Sequence, residues 1–127
     1  SAPAITFDLL VGDLFRVLDA LNIDTCVLAA ESMGAMVALE AALRHPERFT
    51  GLVIVGGRYS GARIITLPTL VLHGRQDVIA PLASSERLVE LVAGSKLVVS
   101  EDAGHVPTVT RPNWVASEIN AFFATPA

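Results

Sequence analysis

Charge is scarce in this chain. Only 17% of its residues are charged, against about 25% in ordinary globular domains, while 52% are hydrophobic. So little polar surface means one of two things. Apolar strands are buried on both faces, as in parallel sheets, or part of the surface belongs against something outside this sequence. Basic residues are scarcer than acidic ones, nine against thirteen, with a formal net charge of −4. No basic stripe is available to neutralise phosphates, so a nucleic-acid partner is not expected. A single cysteine, Cys26, excludes an internal disulfide and fits a reducing compartment, so a cytoplasmic location is expected. No apolar run reaches the roughly 18 residues of a membrane span, because Glu31, Glu40, Asp77 and several glycines interrupt each candidate. Three isolated histidines and one cysteine lack metal-ligand spacing, and neither a metal nor a cofactor is expected. Repeats and low-complexity tracts are also missing, and 127 residues make one domain, 1–127.

The pattern that is present alternates. Leu10, Leu14, Leu18 and Leu21, spaced by four, four and three, predict an amphipathic helix over 7–21, capped by Thr6 and ended by Asn22. Thr25–Ala30 (TCVLAA) reads as a buried strand, and 33–44 as a helix stopped near His45-Pro46, since a residue before proline avoids the helical region. Gly51–Val55 (GLVIV), Thr69–Leu72 (TLVL) and Leu97–Val99 (LVV) are further short apolar runs of strand length. A helix from about Pro81 to Ala93 separates the last two, with proline in its first turn and Gly94 beyond its end. A last helix runs from about Pro112 to Phe123, with Val115, Ile119 and Phe122 or Phe123 inward. Four short strands alternating with helices predict an α/β fold, a three-layer sandwich with a mostly parallel sheet and helices on both faces. The 56–68 connection breaks the rhythm. It holds turn residues but no helix of useful length, although a parallel crossover usually needs one.

Ser32 stands between the strand TCVLAA and the helix that begins at Met33. In a parallel sheet that turn lies at the carboxyl ends of the strands, where ligands bind. Ala30 and Gly34 are small enough for a sharp turn that would lift the hydroxyl above the sheet, beside the backbone amides of the helix start. The same serine can equally be a plain helix cap. Two further residues fall at the same rim: Asp77, three past the glycine in Leu72-His73-Gly74, and His105 in Ala103-Gly104-His105-Val106-Pro107. Asp77 can also be a turn aspartate ahead of Pro81, and Asp102 is a competing carboxylate three residues before His105. His45, at a helix end, suits a structural role, and His73 reads as a packed strand-end residue.

The order serine, aspartate, histidine, with the elbow and the phrases His45-Pro46-Glu47-Arg48-Phe49, Pro68-Thr69-Leu70-Val71-Leu72-His73-Gly74 and Gly104-His105-Val106-Pro107, resembles the α/β-hydrolase superfamily. The resemblance covers essentially the whole chain. It implies that Ser32 is the nucleophile, His105 its base and Asp77 the acid that orients the imidazole. It also implies that the Met33 amide donates to an oxyanion. Val106 is a candidate to line the substrate, and Glu31, beside the serine, is a second candidate that reads more simply as a hydrogen-bonded turn residue. The activity implied is hydrolysis of a small ester or lactone through an acyl-enzyme. Carbon–carbon bond hydrolysis and cofactor-free haloperoxidase activity are the alternatives on the same fold, and a non-catalytic scaffold or binding module is the alternative outside catalysis.

Members of that superfamily carry strands ahead of the helix placed at 7–21, with a His-Gly segment that supplies a second oxyanion amide, and a helical cap between the strands written here as GLVIV and TLVL. Neither is found in the sequence, so 1–127 is expected to be a partial domain with its cap missing near 58–66. The strand 25–30 is then expected at an open sheet edge, covered by a missing N-terminal segment or by a second copy of the chain.

Overall fold

The structure is a computed structural model that describes residues 4–57 and 65–124. Most of the segment in which a missing cap was expected, 58–64, lies outside the described residues. Among the described residues four strands form one sheet: β1 (Cys26–Glu31), β2 (Phe49–Val55), β3 (Thr69–Gly74) and β4 (Lys96–Ser100). They lie in the order β1-β2-β3-β4, and every neighbouring pair is parallel. Five helices accompany them: α1 (Phe7–Ala20), α2 (Met33–Arg44), α3 (Leu82–Leu91), α4 (Pro107–Thr110) and α5 (Pro112–Phe123).

The two central strands are buried on both faces, as parallel strands require. Because side chains alternate along a strand, Leu52, Ile54 and Val71 join one core with Leu18, Ala38, Leu39, Leu88 and Val92. Val53, Val55, Leu70 and Leu72 join another with Val115, Ile119 and Phe123. Helices α1, α2 and α3 therefore cover one face and α5 the other. Alanines 35, 38, 41 and 42, all buried, let α2 lie close to the sheet.

Thr6 caps α1 as expected, its Oγ1 accepting the Leu9 amide at 3.1 Å, and Asn22 ends it with φ at 56°, a conformation asparagine tolerates better than most residues. The inward face differs from the expected leucine series. Val11 and Leu18 are buried with Leu14 and Phe15 packed beside them, whereas Leu21, beyond the last turn, is 64% exposed. The stripe that meets α2 runs through 11, 14, 15 and 18, the 3.6-residue period centred one position from Leu10. Leu10 instead borders an open apolar groove of about 440 Å³ with Leu14, Val17, Leu28 and Val37.

Helix α2 stops at Arg44, followed by one turn of 3₁₀ helix over Pro46–Arg48. Arg48 from that turn donates to the carbonyls of Ile23 and Asp24 and to Asp19, tying the α1–β1 connection to the start of β2. β1 pairs only with β2, so it forms one edge of the sheet among the described residues. Its Cys26, Leu28 and Ala30 pack into the first core. Val27 and Ala29, on the opposite face, are exposed, because among the described residues α5 packs against β2 and β3 and meets β1 only near its end, where Ala29 and Glu31 border a small cavity with Thr108, Val115 and Ile119.

Candidate active site

The register of the sheet delivers three loops to one rim. Glu31 ends β1 opposite Val55, and the Ser32 amide donates to the Val55 carbonyl at 2.9 Å, continuing the ladder one residue further. Helix α2 must then start at once. Ser32 meets both demands by taking φ 56° and ψ −124°, a strained backbone that costs of order 1–3 kcal/mol and persists only where its surroundings impose it. Its side chain makes no capping hydrogen bond. The plain-cap alternative therefore fails for Ser32: the turn aims Oγ away from the helix amides and toward the rim.

There Oγ meets His105. Their Oγ–Nε2 separation is 2.8 Å, and His105 Nδ1 lies 2.8 Å from Asp77 Oδ2. A carboxylate oxygen can only accept, so Nδ1 carries the proton and in the neutral ring Nε2 is bare toward the serine hydroxyl. Asp77 serves two purposes at once. While Oδ2 accepts from His105, Oδ1 accepts the amides of Ile79 and Ala80, each at 2.8 Å. The turn aspartate and the histidine partner, alternatives in the sequence, are the two oxygens of one group.

The Asp77 side chain is 1% exposed and that of His105 17%. Burial is the largest influence on the Asp77 carboxyl and pushes its pKa up. The Ala80 amide, the His105 ring and the Ile79 amide together outweigh it and hold the carboxyl below its ordinary value. Asp102, the competing carboxylate, is engaged elsewhere: Ser100 Oγ donates to its Oδ1 at 2.9 Å and Arg111 Nε to its Oδ2 at 3.1 Å. It braces the loop after β4 without facing His105.

Two backbone bonds lock the Asp77 loop to the His105 loop, Arg75 N to Ser100 O at 2.9 Å and Gln76 N to Ala103 O at 3.0 Å. A cleft of about 320 Å³ opens above the serine, lined by Ser32, Met33, Met36, Gly56, Ile79, Ala80 and His105. Met33 opens α2 and is 62% exposed; its amide belongs to the first turn, where helix N–H groups lack intrahelical acceptors. Glu31 and Val106, expected to line substrate, are not among the described lining residues. Glu31 turns to α4, where Thr108 Oγ1 donates to its carboxylate at 2.6 Å. Val106 precedes Pro107 at the start of the same short helix.

That helix escaped the sequence reading, since four residues carry no periodicity. His73 was read correctly as packed, but its neighbour was missed: Nε2 lies 3.6 Å from Asp77 Oδ2. No local period marks that pair, because His73 lies near the end of β3 and Asp77 in the turn beyond it. Among the described residues no group of three His, Cys, Asp or Glu could hold a metal ion, and no helix is long and apolar enough to cross a membrane. An imidazole held at 2.8 Å from a hydroxyl and backed by a buried carboxylate can accept the hydroxyl proton as the oxygen attacks an electrophile.

Comparison with known proteins places the chain among relatives of one fold. A family model described as the alpha/beta hydrolase fold matches residues 3–62, and one described as TAP-like protein matches residues 58–127. A strigolactone esterase of Pisum sativum is 37% identical over 51 residues, 40% of this chain and 19% of that protein. The match thus spans under a fifth of the esterase. A 2-hydroxymuconate semialdehyde hydrolase of Pseudomonas sp. strain CF600 is 25% identical over 193 residues, covering 92% of this chain and 68% of that protein. That alignment is longer than the 127-residue chain, so the relative carries internal residues without counterparts here. Among solved structures, the meta-cleavage product hydrolase from Pseudomonas fluorescens IP01 superposes with a TM-score of 0.91 at 18% identity, covering 97% of this chain and 73% of that one. At that identity the likeness is one of fold.

Proposed function

The chain belongs to the alpha/beta hydrolase fold family, and from that premise we propose that it acts as a serine hydrolase on a small ester or lactone through an acyl-enzyme. What supports the proposal is one arrangement: Ser32 Oγ at 2.8 Å from His105 Nε2, with His105 Nδ1 at 2.8 Å from the buried Asp77. His105 takes the Ser32 proton as Oγ bonds to the substrate carbonyl carbon and the carbonyl electrons move to oxygen. The Met33 amide, one residue past the serine, donates to that oxyanion. When the tetrahedral adduct collapses, the carbon–oxygen bond of the leaving group breaks and His105 returns the proton to the departing alcohol. Water, deprotonated by the same imidazole, then bonds to the acyl carbon; the bond from that carbon to Ser32 Oγ breaks, His105 returns the proton to Oγ, and the acid leaves. Asp77 remains ionised throughout, orienting the ring and stabilising its cationic form. Losing one oxyanion donor ordinarily lowers turnover by about 100- to 1,000-fold, which is the weight this reading gives to the Met33 amide. No cofactor enters this reaction, and a cytoplasmic location is part of the same proposal.

The breadth of the match to 2-hydroxymuconate semialdehyde hydrolase, 92% of this chain, favours one second reading: carbon–carbon bond hydrolysis with the same three side chains. Active-site titration with a fluorophosphonate tests both readings at once. Covalent labelling that disappears in Ser32→Ala is the expected result. An unlabelled protein whose circular dichroism is that of a folded α/β domain refutes the nucleophile and leaves a binding or scaffold role. Turnover of p-nitrophenyl acetate against 2-hydroxymuconate semialdehyde then separates the two chemistries.

A further inference from the structure

The buried imidazole of His73 has no part in the steps above, yet it lies directly behind Asp77. It is 0% exposed, as is Ser85, which faces it from α3. Its Nδ1 is 2.7 Å from Ser85 Oγ and its Nε2 is 2.9 Å from the Ala80 carbonyl. A carbonyl only accepts, so Nε2 bears the hydrogen; in the neutral ring Nδ1 is then bare and the Ser85 hydroxyl donates to it. Both ring nitrogens are thereby assigned by partners that leave little choice. The Ala80 residue so gripped also donates its own amide to Asp77 Oδ1. Asp77 Oδ2, 3.6 Å from His73 Nε2, lies beyond hydrogen-bond reach of that ring and is left to His105.

We propose that His73, oriented by Ser85, is a positioning residue for Asp77. By holding the Ala80 carbonyl it closes the 77–80 turn, fixes the plane of the carboxylate, and reserves Oδ2 for His105. The chain of contacts runs from α3 through Ser85 and His73 to Ala80, then through Asp77 and His105 to Ser32. This rests on the reading of Asp77 as the group that orients His105. A small rotation of the carboxylate would move the imidazole off the serine, and misplacement of about 1 Å in such a site can cost about 100-fold.

The experiment compares the full chain with His73→Phe, His73→Gln and Ser85→Ala. Two readouts are used: the nitrogen-15-edited proton spectrum of the histidine rings and the kinetics of fluorophosphonate labelling. The unsubstituted protein should show His73 as the Nε2–H tautomer and His105 with a strongly downfield Nδ1 proton bonded to carboxylate. His73→Phe, which keeps a ring but removes both hydrogen bonds, should lose or broaden the His105 signal and lower the maximal inactivation rate about 10- to 100-fold, with the inhibitor concentration for half-maximal rate unchanged. His73→Gln, whose amide can still donate to Ala80, should recover most of that rate. Ser85→Ala, a small change that tests the same chain should His73→Phe fail to fold, should lower it several-fold. A full labelling rate and an intact His105 signal in a folded His73→Phe, or a full rate in Ser85→Ala, would overturn the proposal and leave the hydrolase reading standing. If the unsubstituted protein labels nowhere but its His105 signal depends on His73, positioning holds and the hydrolase reading fails. An Nδ1–H tautomer at His73 would overturn the positioning outright.

Discussion

Replacing Gly74 by alanine would place a methyl group 2.2 Å from the Gly104 carbonyl oxygen and 2.3 Å from that of Ala103. Both are backbone atoms at the junction of the Asp77 and His105 loops, so no side chain can swing aside. To reach even 3.0 Å, the shortest approach real Cβ atoms tolerate, the two loops must part by about 0.8 Å. Asp77 follows three residues after Gly74 and His105 immediately follows Gly104, so the separation acts on their contact. The Nδ1–Oδ2 distance would grow from 2.8 Å toward about 3.6 Å, past the range of a hydrogen bond. Overpacking of this kind ordinarily costs about 1–3 kcal/mol, and misplacing the imidazole by nearly 1 Å lowers reactivity by about 100-fold. The expected outcome for Gly74→Ala is a lower urea midpoint together with a fluorophosphonate labelling rate reduced about 100-fold. A labelling rate within twofold of the unsubstituted protein would refute the reasoning, because the loops would then have absorbed the methyl without moving Asp77 from His105.

Gly94→Ala supplies the contrast. Nothing lies within 4 Å of the added methyl, but φ is +77°, so stability should fall by about 1–2 kcal/mol with labelling unchanged; a change in labelling rate would contradict this. Leu39, 0% exposed at the centre of the first core, should cost about 2–5 kcal/mol on truncation to alanine, read from urea unfolding at constant slope, and a loss below 1 kcal/mol would be inconsistent with that burial. The Asp77 carboxyl titrates below its ordinary value in the folded state, so its contribution to stability is full above the unfolded value of about 3.9 and lost as pH falls through the folded value. The gap in urea midpoint between the unsubstituted protein and Asp77→Asn should therefore stay level from pH 6 to 5 and close below pH 4; a gap that widens there would contradict the depressed pKa.

Much of the architecture was legible because burial on both faces writes itself into short runs of apolar residues. The segments GLVIV, TLVL and LVV lie within β2, β3 and β4, and the final helix was placed at the bounds observed for α5, Pro112–Phe123. Caps and breakers were legible for the same local reason: Thr6, Asn22 and His45-Pro46 act on their own backbone. The inward face of α1 was not, since Leu10 and Val11 are equally apolar in sequence. Only the position of α2 decides that Val11 is buried while Leu10 borders a groove.

The sequence by itself determined the alternation of strands and helices and the order in which a serine, an aspartate and a histidine reach one rim, because hydrophobic period and turn chemistry are local. Only the tertiary structure decided what those side chains do to one another. It turned Ser32 Oγ from the helix amides to His105, sent Asp102 to Arg111 and Glu31 to Thr108, split the two oxygens of Asp77 between a turn and an imidazole, and set His73 behind them. Those choices depend on strand register and on loops meeting across the sheet. Contacts between residues 28 or 73 positions apart leave no period in the chain that makes them.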